Sequence, residues 1–291
     1  MRLRVPPSAC TAVCDGKAYV FGGRDSAGTY LNDLWTYDAA TDQWISLGKT
    51  PLKARVNAAM AATDEAIYVG LGYSAKHAYN NKAYRRDWWR YTPADGKWQQ
   101  LADFPTSRTV APTTFTLDGL IYAIYGFGYG FSDDICIYDP HADKWTMHAA
   151  DPESARSNVG GSGALCNGQL YFGGGYDTHN LTQWYVVDVA ADRWTPRRDI
   201  PGKGRELAAC TATNEYVYLF GGRYFGGDMT GGEVFDTWLR YEPAKDEWVY
   251  CGTMPCGHAE NQVAFTINGK AYFGLGENEN GEIINNLYRI E

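Results

Sequence analysis

One short motif, an apolar run ending in glycine, recurs six times along the chain and constrains its fold more than any other feature. It reads AYVFGG (18–23), IYVGLG (67–72), IYAIYG (121–126), LYFGGG (170–175), VYLFGG (217–222) and AYFGLG (271–276). The tyrosines of these runs, Tyr19, Tyr68, Tyr122, Tyr171, Tyr218 and Tyr272, are separated by 49, 54, 49, 47 and 54 residues. A second apolar run follows each, as in LWTYD (34–38) and ICIYDP (135–140). A lone tryptophan then closes the first five units: Trp44, Trp98, Trp145, Trp194 and Trp248. A Pro-containing turn and a further apolar stretch such as VAFTI (263–267) complete the pattern. Each unit predicts four short strands separated by turns.

Composition agrees. The 33 glycines, 22 tyrosines and 10 tryptophans suit short strands and tight turns, whereas glycine costs about 1 kcal/mol per position in a helix. With 45% hydrophobic residues the chain can bury a core, and its length of 291 residues is compatible with one or two domains. No run approaches the roughly 18 apolar residues of a membrane-spanning helix, so no membrane insertion is expected. A net charge of −8 without a basic block argues against nucleic acid as a partner.

A repeat of about 50 residues with four strands is the kelch pattern. The pairs Gly22–Gly23, Gly173–Gly174 and Gly221–Gly222, and the spaced Tyr37 with Trp44 and Tyr138 with Trp145, resemble the kelch family over essentially the whole chain. The resemblance implies an all-β, six-bladed kelch β-propeller forming a single domain over residues 1–291. The recurring Tyr and Trp then read as packing between neighbouring blades. The last unit stops after its third strand, and Arg2-Leu3-Arg4-Val5 before Pro6-Pro7 supplies a spare strand. The N-terminal strand is therefore expected to close the last blade, which removes two loose sheet edges.

Seven cysteines occur without a Cys-x-x-Cys pair, and most lie in expected strands. Cys251 and Cys256 flank a turn and are left open as a pair. The five histidines are scattered, so no metal and no cofactor is expected. No signal peptide is present, but a chain trimmed of one would look the same. The sequence style resembles exported kelch proteins of bacteria, which leaves both a periplasmic or surface location and a cytoplasmic one open.

Function in such repeats belongs to loops. The resemblance implies that the second-to-third-strand loops and the between-blade junctions share one face. The junctions run from a proline to a basic residue: Arg55, Arg108, Arg156, Arg205 and His258. They stand 13, 14, 15, 13 and 14 residues before the next strand tyrosine. Converging arginines would receive carboxylates; the same positions also suit a structural role, bonding neighbouring carbonyls or carboxylates. The second loop set contributes Tyr73, Tyr79, Phe127, Tyr129, Tyr176, Tyr224, Arg223 and Glu277, an aromatic rim suited to sugar faces or peptides, or to folding the loops onto one another. The expectation is a monomeric, non-catalytic binding propeller for an anionic glycan or an acidic protein segment. The alternative is a sugar epimerase or mutarotase, since the blade count also resembles the N-acetylneuraminate epimerases. Its acid–base and anchoring candidates are Arg156, Arg205, Arg223, Glu233, Glu260 and Glu277. Galactose oxidase also uses a kelch propeller, but its Tyr-Cys-His copper cluster has no counterpart here.

Overall fold

The computed structural model describes residues 7–74, 83–106, 110–124, 126, 135–148, 159–191, 193–226 and 232–290. Every sequence unit forms one antiparallel sheet. The chain divides into two compact units, Met1–Ala149 and Ala150–Glu291; among the described residues each holds three blade sheets, and the second also holds a two-stranded arm.

In the first unit, blade 1 comprises β1 (Cys10–Cys14), β2 (Lys17–Phe21), β3 (Asp33–Asp38) and β4 (Gln43–Lys49). Blade 2 comprises β5 (Ala59–Ala62), β6 (Ile67–Gly70), β7 (Trp88–Thr92) and β8 (Lys97–Gln100), and blade 3 β9 (Thr113–Leu117), β10 (Leu120–Ile124), β11 (Ile135–Asp139) and β12 (Lys144–His148). In the second unit, blade 4 comprises β13 (Ser162–Cys166), β14 (Gln169–Gly173), β15 (Trp184–Asp188) and β16 (Arg193–Arg197). Blade 5 comprises β17 (Ala209–Ala212), β18 (Val217–Phe220), β21 (Thr237–Glu242) and β22 (Glu247–Thr253), with an arm of β19 (Arg223–Tyr224) paired to β20 (Glu233–Val234). Blade 6 shows β23 (Val263–Ile267), β24 (Lys270–Gly274) and β25 (Leu287–Arg289). The strand expected to close it, residues 2–5, lies outside the described residues.

Local chemistry sets the hairpins. Asp15–Gly16, Asp118–Gly119, Asn167–Gly168 and Asn268–Gly269 all have positive φ at both positions, the two-residue turn whose twist matches antiparallel strands. The second strand of each blade is apolar on both faces because both are covered; Val217–Phe220 is buried at every residue.

A repeated clasp fixes neighbouring blades. Tyr138 donates to Asp143 Oδ1 at 2.7 Å, and the same carboxylate accepts from the Ala102 N–H of blade 2 at 2.8 Å. Trp145 packs 5.0 Å from Tyr138 and donates to Ala102 O at 3.1 Å. Blade 5 repeats this with Tyr241, Asp246 and Trp248 against Arg198. The Tyr and Trp of blades 3 and 5 are thus inter-blade packing, whereas Trp194 meets Phe172 and Tyr185 of its own blade. The glycine pairs serve the same purpose: Gly222 N–H donates to Ala259 O at 2.8 Å. Gly221, at φ +56°, leaves so little room that a Cβ would lie 2.1 Å from that carbonyl.

All seven cysteines are free thiols, Cys251 and Cys256 included. Among the described residues no helix is long and apolar enough to cross a membrane.

Candidate functional site

The strand ends that carry the glycine pairs form one end of each blade, the loop end. Its geometry follows a fixed count. In blades 2, 4, 5 and 6 the residue twelve before the strand tyrosine meets the residue five after it: Val56 with Tyr73, Val159 with Tyr176, Glu206 with Arg223, and Glu260 with Glu277 all form backbone bridges. In blade 1 the same count gives Pro7, whose carbonyl accepts from Arg24 N–H at 3.2 Å. Apolar and aromatic side chains therefore occupy this position in blades 2 and 4, and charged ones in blades 5 and 6.

In the second unit these bridges gather four charged side chains. Leu207 N–H donates to Gly160 O at 2.9 Å and Asn261 N–H to Leu207 O at 3.2 Å, which ties the starts of three successive inner strands together. Arg223 Nη1 lies 3.3 Å from Glu260 Oε1. Asn261 Nδ2 donates to Glu277 Oε1 at 2.9 Å. Glu260 and Glu277 are buried, while Glu206 is half-buried. Burial raises the Glu206 carboxyl to about 7; the Arg223 charge opposes this and the Glu260 charge adds to it. A carboxyl near 7 gives or takes a proton at neutral pH, a property common at functional sites.

Beside Arg223, the arm carries aromatic side chains that meet blade 4. Tyr176 meets Phe225 edge-on at 5.4 Å, and Phe225 N–H donates to Asn180 Oδ1 at 2.7 Å. Lys203 lies over the Tyr224 ring, 5.4 Å from its centroid, and pairs with Glu233.

The junction arginines have a different lot. Arg55 is wholly buried. Its fork meets both Asp87 oxygens at 2.9 and 2.8 Å, and further bonds run to Leu71 O and Lys53 O. Burial pushes Asp87 up, but the Arg55 hydrogen bonds and charge outweigh it and hold the carboxyl below its usual range. Arg205 is buried too, donating to Gly221 O at 3.0 Å and lying 4.3 Å over the Phe235 ring. Thr237 stands where blade 2 has Asp87, at 3.5 Å from the guanidinium. Among the described residues no carboxylate forms an ion pair with Arg205, and burial lowers its pKa to about 10.

Of the junction residues, Arg55 and Arg205 are the two that stand thirteen before the strand tyrosine. Each is held inside the framework of its own blades. His258 precedes that position by one and pairs, exposed, with Glu279 at 2.8 Å. Tyr73 stacks edge-on with Tyr84 at 5.1 Å. Arg223, Glu277 and Tyr176 lie where the loop end gathers its polar groups, joined by Glu206, which the sequence reading had not singled out. Arg108, Arg156, Tyr79, Phe127 and Tyr129 lie outside the described residues.

Known proteins agree with this architecture. The KLHDC2/KLHL20/DRC7 Kelch-repeats domain matches residues 2–175. Kelch-like protein 25 of Xenopus tropicalis is 27% identical over 255 residues, 85% of this chain and 41% of that protein. Kelch-like protein 35 of Mus musculus is 25% identical over 276 residues, 94% of this chain and 44% of that protein. The N-acetylneuraminate epimerase of Shigella flexneri is 35% identical over 133 residues, 44% of this chain and 34% of the enzyme. The chain thus spans less than half the length of these relatives. A solved structure described as "Structure of YjhT" superposes at a TM-score of 0.79 with 17% identity, over 100% of this chain and 96% of that one. That likeness is one of fold.

Proposed function

Because the chain belongs to the family of KLHDC2/KLHL20/DRC7 kelch-repeat domains, a six-bladed all-β propeller, we propose that it is a binding propeller whose ligand is a sugar held at the loop end of blades 4 to 6. The observation that carries this is the gathering of Glu206, Arg223, Glu260 and Glu277 by two adjacent backbone bridges. Such a group offers acceptors for hydroxyl protons and, in Arg223 and the protonated Glu206, donors for hydroxyl oxygens. A few placed polar groups beside aromatic walls are what a carbohydrate site requires.

The charge balance narrows the ligand. Three carboxyl groups face one guanidinium, so a polyanionic segment is repelled. A neutral sugar fits, and a sugar with a single carboxylate fits when Glu206 carries its proton and Arg223 turns to the ligand. Calorimetric titration with neutral disaccharides and with N-acetylneuraminate tests this. Affinity should fall as pH rises through about 7, where Glu206 loses its donor proton. Equal binding of acidic peptides would contradict it.

A second reading, turnover of the epimerase type, is favoured by the near-neutral Glu206. Anomer interconversion needs one group to take the anomeric hydroxyl proton and another to give a proton to the ring oxygen. Glu206 would supply one role and Glu260 or Glu277 the other. General acid–base catalysis is worth about 10²–10⁴-fold, so Glu206→Gln should remove exchange seen by proton NMR while sugar still binds. Wild-type protein that binds sugar without speeding exchange would leave the binding reading alone.

A further inference from the structure

At the other end of the strands, where the hairpin turn Asp15–Gly16 lies, the first unit contains a cleft of about 620 Å³ between blades 1 and 2. This is within the range of ligand clefts, roughly 300–1,000 Å³. It is lined by the buried Tyr19 and Tyr91 and by the exposed Ile45 and Leu47 of β4. Asp15, Asp64 and Glu65 stand on the rim against one cation, Lys17, which lies 3.9 Å from Asp38. Cys14 Sγ donates to Asp64 O at 3.6 Å, so the two turns that bear these carboxylates are tied together.

Ile45 and Leu47 are 48% and 39% exposed. Among the described residues only Met147 and Tyr250 are comparably exposed large apolar side chains, and neither lines this cleft. The repeat shows that the scaffold does not demand them. Counted from the blade tryptophan, their counterparts in blade 4 are Thr195 and Arg197. There the Arg197 charge lies close to Tyr171 and Tyr241, the counterparts of Tyr19 and Tyr91. Blade 1 thus places two aliphatic side chains in water at a position that blade 4 fills with polar ones. Covering the exposed halves of both side chains takes apolar surface out of water, which favours an incoming partner.

We propose that this cleft is a docking site for a segment of a partner protein that presents a leucine-sized side chain beside a lysine or arginine. The apolar side chain covers Ile45 and Leu47, and the cation meets Asp15, Asp64 and Glu65. A peptide suits the site because β4 is the outermost strand of its sheet, so the apolar surface continues from the cleft to the blade's outer edge. The rim's excess of carboxylates selects a basic segment and rejects an acidic one.

Panning a phage-displayed random 12-residue library on the full chain tests the inference. Enriched peptides, synthesised and measured by fluorescence anisotropy, should pair an aliphatic residue with Lys or Arg within two positions. Their affinity should drop at least tenfold on Leu47→Arg and on the double change Asp64→Asn with Glu65→Gln, and should weaken with salt. Tyr250→Ser, which removes an exposed aromatic elsewhere, should leave it within twofold. Leu47→Arg copies blade 4; Ile45→Thr does so more gently and serves if the first lowers the melting temperature. Failure to enrich any peptide, enriched peptides without a basic residue, indifference to both β4 variants, or equal loss with Tyr250→Ser would overturn the proposal.

Discussion

Arg55 and Arg205 occupy the same step of the repeat and meet opposite surroundings. Arg55 faces Asp87 through a two-point fork. Arg205 faces Thr237 at 3.5 Å and a phenyl ring instead. Both guanidiniums are buried, so both have lost water; among the described residues only Arg55 has a carboxylate in return. The pair teaches that repeat position fixes where a side chain goes, while a residue some thirty positions later decides whether it becomes a strut or a guest.

The largest expected effect breaks the strut. Asp87→Ala leaves Arg55 as an uncompensated buried cation and should cost about 3–5 kcal/mol, read as a lower urea midpoint. The loss should have a pH signature. Because Asp87 is held below its ordinary carboxylate range, its stabilisation is full above the unfolded value and fades as pH falls through the folded one. Wild-type protein should therefore lose stability in acid more steeply than Asp87→Asn.

Supplying the missing partner sharpens the comparison. Thr237→Asp gives Arg205 the carboxylate that Arg55 already has. Arg205 is desolvated either way, so the variant should gain about 1–2 kcal/mol, as expected for hydrogen bonds to charged groups. Thr237→Ala, by contrast, should cost under about 1 kcal/mol, since the contact it removes is long.

Glu206 predicts the reverse pH trend. Its folded pKa is raised above the unfolded value, so the folded state binds more protons between about 4.5 and 7 and loses stability as pH rises across that window. Glu206→Gln should therefore gain about 2–3 kcal/mol of stability relative to wild type between pH 5 and pH 8. The smallest effect falls on the clasp. Tyr241→Phe removes one hydrogen bond to Asp246 and should cost about 1 kcal/mol, while the Ala102-facing clasp of Tyr138 stays intact.

The architecture was legible because the features that build it recur in sequence at nearly constant spacing. Tyr138, Asp143 and Trp145 must keep their intervals to hold the next blade, so the repeat shows on the page. The junction arginines were harder to place. Counting from the prolines put Arg55 and His258 in one series, but the loops before each inner strand vary in length. Hydrogen-bond register starts at the strand, and counting twelve back from Tyr218 and Tyr272 brings out Glu206 and Glu260 together. Glu206 follows Arg205 directly, and the basic residue that ends the junction is the one whose side chain turns inward. The fates of Arg55 and Arg205 depend on Asp87 and Thr237, which no local pattern connects to them. The exposure of Ile45 and Leu47 was equally illegible, because strand alternation alone does not tell a covered face from an open one.

The central claim is that blades 4 to 6 hold a proton-bearing carboxyl among charged neighbours at their loop end. A carbon-detected NMR titration of the glutamate carboxyls tests it most directly, with Glu206→Gln identifying the signal. The account predicts a Glu206 midpoint near 7, moving higher still in Arg223→Ala because the opposing charge is gone. A midpoint near 4.5 that ignores Arg223 would contradict it.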